Sequence, residues 1–240
     1  MNEAIIIERV KNYINQHNSV KNVLEYIGNC CNNEFYIVGG FLRDSILGGN
    51  IGNDIDIMTI NKDNRIHHFL SNMNIPYTLN RHGIRKYDFS GVLVEIYEPY
   101  QFQTGFNTII DCLKFYDLKI NAIALNYSIN QLLNPLGGVE YIETHNAGIN
   151  FNRWLSDKTN DYERTILLIR LVKILEKYSF LKLEKLEIEL ALKSLKEFDF
   201  KNWKDLKNRC NCTLSEFKSL AEFYINNSRN TKHNFAKIFN

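Results

Sequence analysis

The apolar run Phe35-Tyr36-Ile37-Val38 leads directly into Gly39-Gly40-Phe41-Leu42-Arg43-Asp44, and Asn53-Asp54-Ile55-Asp56-Ile57 follows a short way on. No other stretch limits the possible folds so strongly. Four apolar residues ended by paired glycines read as a buried strand that stops in a tight turn, and Phe41 to Leu47 then reads as a short helix. The second run alternates acid and isoleucine. In an extended strand this puts Asp54 and Asp56 on one face and turns Ile55 and Ile57 into a core.

Each half carries a chemical implication. Backbone N–H groups at the start of a helix that follows a glycine turn favour an anion. Two carboxylates aimed at one point suit Mg²⁺ bound to a triphosphate. Either half alone is an ordinary turn or a solvated strand edge; their order and spacing together give them weight. Gly91-Val92-Leu93-Val94-Glu95-Ile96-Tyr97 is a further expected strand, paired in a hairpin with Arg85 to Phe89 around Ser90-Gly91. Glu95 is the candidate third acid; its other reading is a solvated strand face.

The combined pattern Gly-Gly-x-x-Arg-Asp and Asp-x-Asp resembles the head domain of the nucleotidyltransferase superfamily that contains tRNA CCA-adding enzymes and bacterial poly(A) polymerases. That resemblance implies a catalytic and metal role for Asp54, Asp56 and Glu95 with Mg²⁺. It implies nucleotide contacts at Gly39, Gly40, Arg43 and Asp44, where Arg43 reaches either the triphosphate or a buried carboxylate. Arg85 is a second phosphate candidate, or an exposed edge residue. Tyr116-Asp117-Leu118-Lys119-Ile120-Asn121-Ala122-Ile123-Ala124-Leu125 is similar to the family's Arg-Arg-Asp-Phe-Thr-Ile-Asn-Ala-Leu-Ala, which implies nucleotide contacts for Asp117 and Asn121. Phe115 and Tyr116 stand where the family has its arginines, so a charge-assisted contact is lost and ribose selection is in question. Asn134-Pro135-Leu136-Gly137-Gly138 resembles a turn of the same family with a structural role.

Asp161-Tyr162-Glu163-Arg164 resembles the family's Glu-Asp-x-x-Arg, with Asn160 in place of the Glu. There, Asp and Arg read the edge of the incoming base without a template. An i, i+3 spacing brings Asp161 and Arg164 to one helix face, which serves base reading and a plain intrahelical ion pair equally well. Arg170 either orients this pair or contacts phosphate. On this reading the phosphates lie near Gly39, Gly40 and Arg43, with the base toward Asp161 and Arg164.

Around these motifs, Ile5 to Ile27 reads as one or two amphipathic helices, and Lys62 to Met73 as another that ends before Pro76. The fold class expected is α+β: a nucleotidyltransferase head with a mixed sheet and helices on one side, over residues 1–150. After Gly148 neither glycine nor proline occurs. Helical patterns take over at 159–178, 183–198, 203–210 and 213–226, with a capping box at Thr213 and Glu216, so 151–240 is expected to be a small helical domain. Lys182, Lys185, Lys193, Lys196, Lys201, Lys204 and Lys207 enrich it in positive charge. Interleaved glutamates favour a solvated face over an RNA contact.

A net charge of +2 does not decide the partner. The five cysteines lack paired CxxC spacing, which argues against a disulfide framework or structural zinc and for a reducing cytoplasm. The N-terminus reads as neither a signal peptide nor a membrane span, so no membrane partner is expected. The function expected is template-independent, Mg²⁺-dependent transfer of nucleotides from an NTP, ATP or CTP, to an RNA 3′ end, with a tRNA as the expected acceptor. Nucleotidyl transfer to a protein or small molecule is the nearest rival. A non-catalytic nucleotide- or RNA-binding module on the same fold is the rival from another class.

Overall fold

The computed structural model describes residues 3–30, 35–48, 53–59, 64–80, 83–98, 101, 105–157, 159–197 and 203–229. Lys62, Cys31, Phe198 and Lys201, used in the expectations above, lie outside the described residues. The chain forms α1 (Glu3–Asn15), α2 (Asn18–Cys30), β1 (Phe35–Val38), α3 (Gly40–Leu47), β2 (Asp54–Thr59), α4 (Asn64–Asn72), β3 (Tyr77–Leu79), β4 (Arg85–Phe89), β5 (Val92–Tyr97) and α5 (Ile109–Lys114). A 3₁₀ turn (Lys119–Asn121), β6 (Ala124–Asn126), β7 (Gln131–Leu133), α6 (Gly138–Glu143), α7 (Phe151–Trp154), α8 (Asp161–Lys177), α9 (Lys185–Glu197), α10 (Trp203–Cys210) and α11 (Leu214–Asn227) follow. No helix among the described residues is long and apolar enough to cross a membrane.

The seven strands form one sheet in the order β3-β4-β5-β2-β1-β6-β7. Only β2 and β5 pair in parallel; every other neighbouring pair is antiparallel. The sheet is mixed, as its alternation leads one to expect. Ser90 and Gly91 both take positive φ, 54° and 92°, which is the twist a two-residue hairpin turn requires, and Asp88 Oδ1 accepts from Gly91 N–H at 2.7 Å.

The period of two sorts the strand residues by face. Phe35, Ile37, Ile55, Ile57, Val94 and Ile96 point one way and are buried. Val38, Asp56, Met58, Glu95 and Tyr97 point the other. On that second face α5 packs Ile109, Cys112 and Leu113 against Val38, Met58, Tyr97 and Ala124. Helices on one side of the sheet are therefore too few: α5 covers part of the acid-bearing face as well. It begins with a capping box, in which Thr108 Oγ1 accepts from Asp111 N–H and the Asp111 carboxylate accepts from Thr108 N–H.

The chain divides into two compact units, residues 1–116 with 120–142, and residues 117–119 with 143–240. The second unit is helical. Its core is built from α8, with Leu168, Leu171 and Leu175 buried, together with Ile188, Leu195, Phe217 and Ile225. Thr213 and Glu216 make the expected capping box. Glu187 is buried in this unit and accepts from Ile149 N–H at 2.7 Å and Glu184 N–H at 2.9 Å. Lys185–Glu189 and Lys193–Glu197 are exposed i, i+4 pairs, which fits a solvated face.

Candidate active site

β1 ends at Val38, and Gly39 turns the chain into α3 with φ 74° and ψ −138°. Side chains avoid that region, so the position calls for glycine. A Cβ at Gly39 would lie 3.5 Å from Asp56 Oδ2 and 3.8 Å from the Tyr116 ring and hydroxyl. The glycine turn and the second acid of the Asp-x-Asp strand are thus direct neighbours, as the register Val38↔Asp56 requires.

Arg43 and Asp44 are buried, at 9% and 5% exposure. Arg43 Nε donates to Asp44 Oδ1 at 2.7 Å, with Nη2 at 2.6 Å from the same oxygen, and Nη1 donates to Asn121 Oδ1 at 2.7 Å. Arg43 thus has a buried carboxylate as its partner. Gly40 lets the guanidinium lie close: a Cβ there would stand 3.3 Å from Arg43 Nη2. Arg43, Asp44 and Asn121 therefore clamp the turn to the segment before β6, a positioning task.

The three acids come from adjacent strands. In the parallel β2–β5 pair Asp56 is the Cα partner of Glu95, and Asp54 is that of Leu93. All three carboxylates share one sheet face, Asp54 exposed and the other two half-buried. Tyr97 follows on that face, and its hydroxyl lies 3.3 Å from that of Tyr116. Burial pushes the Tyr97 phenol well above its ordinary value, and the nearby Tyr116, Asp56 and Glu95 push it further.

Hard oxygen donors in this register fit a hard divalent ion. Their side-chain directions fit it less well. Glu95 Oε1 accepts from Asn80 Nδ2 at 2.9 Å, and Asp54 Oδ1 pairs with Lys86 Nζ at 3.3 Å. Among the described residues no group of three His, Cys, Asp or Glu side chains stands close enough to hold a metal ion. Asn80 and Lys86 had no place in the sequence reading. The alternation of β4 could have found Lys86: paired with Glu95 across the hairpin, it shares the acid face.

The same alternation takes Arg85 to the opposite face. There it lies over the Tyr77 ring, 5.1 Å from the centroid, and lines a cavity of about 230 Å³ with Thr59, His67, Glu98 and Gln101. His67 Nδ1 is hydrogen-bonded to the Tyr87 hydroxyl at 2.7 Å, and burial, then Arg85 and His68, hold its imidazole below the ordinary value. Arg85 is not brought together with the acids.

The remaining candidates lie in the helical unit. Asp117 is buried; its Oδ1 accepts from Leu118 N–H at 2.8 Å and its Oδ2 from Arg170 Nη1 at 3.1 Å. Arg170 thus holds Asp117. Asp161 and Arg164 form an ion pair at 3.5 Å across one helical turn, with Asp161 largely exposed. Asn160, where the family has Glu, caps α8: its side chain accepts from Glu163 N–H at 2.9 Å. Arg164 Nε is buried without a hydrogen-bond partner. In the Asn-Pro turn, Asn134 donates to Glu140 at 2.6 Å and accepts from Val139 N–H at 3.3 Å, a structural role.

Residues 35–147 match the family described as the poly A polymerase head domain. The fold of the chain is a known one. Solved structures share it: a CCA-adding enzyme in complex with CTP has a TM-score of 0.60 at 20% identity, over 81% of this chain and 46% of that one. A Thermotoga maritima CCA-adding enzyme in complex with tRNA has a TM-score of 0.56 at 19% identity, over 73% of this chain and 42% of that one. A Bacillus stearothermophilus CCA-adding enzyme in complex with CTP has a TM-score of 0.55 at 22% identity, over 72% and 42%. The chain spans less than half the length of each. No curated protein matches it by sequence. The poly A polymerase head match takes in the glycine turn, the Asp-x-Asp strand, Glu95 and the Asp117–Asn121 segment.

Proposed function

We propose that this chain transfers a nucleotide from an NTP, ATP or CTP, to an RNA 3′ end, most simply that of a tRNA, in a template-independent, Mg²⁺-dependent reaction. The observation that carries this reading is the in-register set Asp54, Asp56 and Glu95 on one sheet face, beside a glycine turn that opens a helix. Mg²⁺ held by these three carboxylates would activate the attacking hydroxyl and neutralise the triphosphate as pyrophosphate leaves. The protein's own part is positioning. Backbone N–H groups of the turn at Gly39 and Gly40 offer donors to phosphate oxygens. The clamp of Arg43 on Asp44 and Asn121 fixes that turn. Asn80 orients Glu95. Tyr116 stands beside Gly39 at the position of a family arginine and offers a neutral hydroxyl there.

In the helical unit, the base-reading role belongs to Asp161 and Arg164, which together present acceptors and a fork of donors. Support for it comes from the position of the pair in the first turn of α8 and from the unpartnered Arg164 Nε.

The test is transfer of labelled nucleotide from each NTP to total RNA, with Asp54→Ala, Asp56→Ala and Glu95→Gln beside the parent. Each carboxylate lies outside the apolar core, so circular dichroism should match the parent while turnover is lost in both Asp variants and strongly cut in Glu95→Gln. Turnover retained in either Asp variant at saturating Mg²⁺ overturns the assignment.

A further inference from the structure

Glu95 and Asp54 are turned toward protein donors, and the two donors differ in kind. Asn80 is anchored by its own backbone and by Ile84: its Oδ1 accepts from Ile84 N–H at 3.0 Å and its N–H donates to the Ile84 carbonyl at 2.9 Å. It is a fixed support for Glu95. Lys86 is a flexible stem ending in an ammonium, 27% exposed, on an Asp54 carboxylate that is 61% exposed. Such a pair is weak in water. A divalent cation carries twice the charge and takes several oxygen ligands at once, so it displaces an ammonium from a carboxylate readily.

Displacement leaves that ammonium on the acid face with no change of backbone, because β4 holds Lys86 in register with Glu95. Two other cations of the head unit are placed differently. The Arg43 guanidinium is directed into Asp44 and Asn121, Arg85 lies on the opposite face, and Phe115-Tyr116 bring no charge. We propose that Lys86 is a phosphate-binding residue, whose ammonium exchanges Asp54 for the triphosphate of the nucleotide when a divalent cation takes the carboxylate. This deepens the nucleotidyltransferase reading and rests on it. A lysine serves here better than an arginine would, since a compact charge on a rotatable stem can move between two anions without rebuilding a planar fork.

The experiment measures Mn²⁺ binding by electron paramagnetic resonance without nucleotide, and ATP binding by calorimetry with Mn²⁺, on the whole chain. The parent is compared with Lys86→Met and Lys86→Arg. Loss of the competing ammonium in Lys86→Met should tighten Mn²⁺ binding by roughly 2–5-fold. Loss of the phosphate contact should weaken ATP binding on the order of 10-fold. The two effects have opposite signs, which a merely structural lysine would not produce. Lys86→Arg should keep ATP affinity near the parent's, and Lys86→Gln repeats both readings on a second neutral side chain. Unchanged Mn²⁺ affinity or unchanged ATP affinity in the neutral variants, with the parent binding both, overturns the role of Lys86 alone. A parent that binds neither overturns the nucleotidyltransferase reading, and this inference with it.

Discussion

Arg43→Met separates a structural arginine from a phosphate ligand, and the geometry supplies the size of the effect. All three guanidinium nitrogens, Nε, Nη1 and Nη2, are directed at Asp44 and Asn121. Methionine keeps much of the volume but leaves the Asp44 carboxylate, 5% exposed, without that cation. Removing one partner of a buried ion pair costs about 3–5 kcal/mol, chiefly the penalty of an uncompensated charge. Chemical denaturation should show the head's transition weakened by that amount, while the double variant Arg43→Met/Asp44→Leu regains most of it because no charge is then stranded. Probes local to each unit are needed, since a two-unit chain does not unfold as one. The corresponding prediction for ligand is that ATP affinity per folded molecule changes little in the double variant, as long as the turn survives. A stability loss below about 0.5 kcal/mol in Arg43→Met, within the ordinary range for surface substitutions, refutes the buried clamp.

Gly39→Ala forces a side chain into a backbone region that costs on the order of 1–3 kcal/mol, and its Cβ would sit against Asp56 and Tyr116; differential scanning calorimetry should register the loss, and an unchanged Tm rejects the strain. If Asp161 and Arg164 read the base, Ala at either position should flatten the preference among the four NTPs by about 1–3 kcal/mol, and an unchanged ranking in competition assays leaves them a helix ion pair. Burial, only partly opposed by two backbone hydrogen bonds, raises the Glu187 carboxyl above its ordinary value. A raised acid contributes stability that is full below the unfolded value near 4.5 and is lost as pH rises through the folded one, so Glu187→Gln should abolish that decline in a pH series of denaturation midpoints. Burial, helped by Asp111, pushes the Cys112 thiol up to about 12, so maleimide labelling at mild pH read by mass spectrometry should reach Cys112 only after unfolding.

The strands that carry chemistry were legible because their residues obey one period without interruption. Phe35 to Val38, Asp54 to Ile57 and the hairpin around Ser90-Gly91 each combine alternation or an apolar run with a turn that only certain residues make. The helical half was legible for the opposite reason, the loss of every glycine and proline after Gly148. Three-residue strands such as Ala124–Asn126 and Gln131–Leu133 are too short to display a period at all, and their place is set by pairing with β1 and with each other. Helix α5 did carry a local signal in Thr108 and Asp111. Among the site candidates, the difference between Arg85 and Lys86 is one residue, which in a strand is the difference between two faces. The fate of Asp117 was not legible, because its partner Arg170 is distant in sequence and an ion pair leaves no local trace.

Residues 117–119 belong to the helical unit although the chain goes back to complete the sheet with 120–142. Protein synthesis must therefore release this tripeptide long before its partners exist. When Asn126 has emerged, β6 can join β1, yet Arg170, which receives the Asp117 carboxylate, and the 145–150 segment, whose Gly148 carbonyl accepts from Lys119 N–H at 2.6 Å and whose Asn150 N–H donates to the Asp117 carbonyl at 3.1 Å, are still to be made. A shortened protein stopping after the sheet would carry a charged, unanchored stitch between α5 and β6, at the very link that supplies Asn121 to the Arg43 clamp. No single cut can yield both units whole, and any attempt to study the head by itself has to replace what the helices do for Asp117.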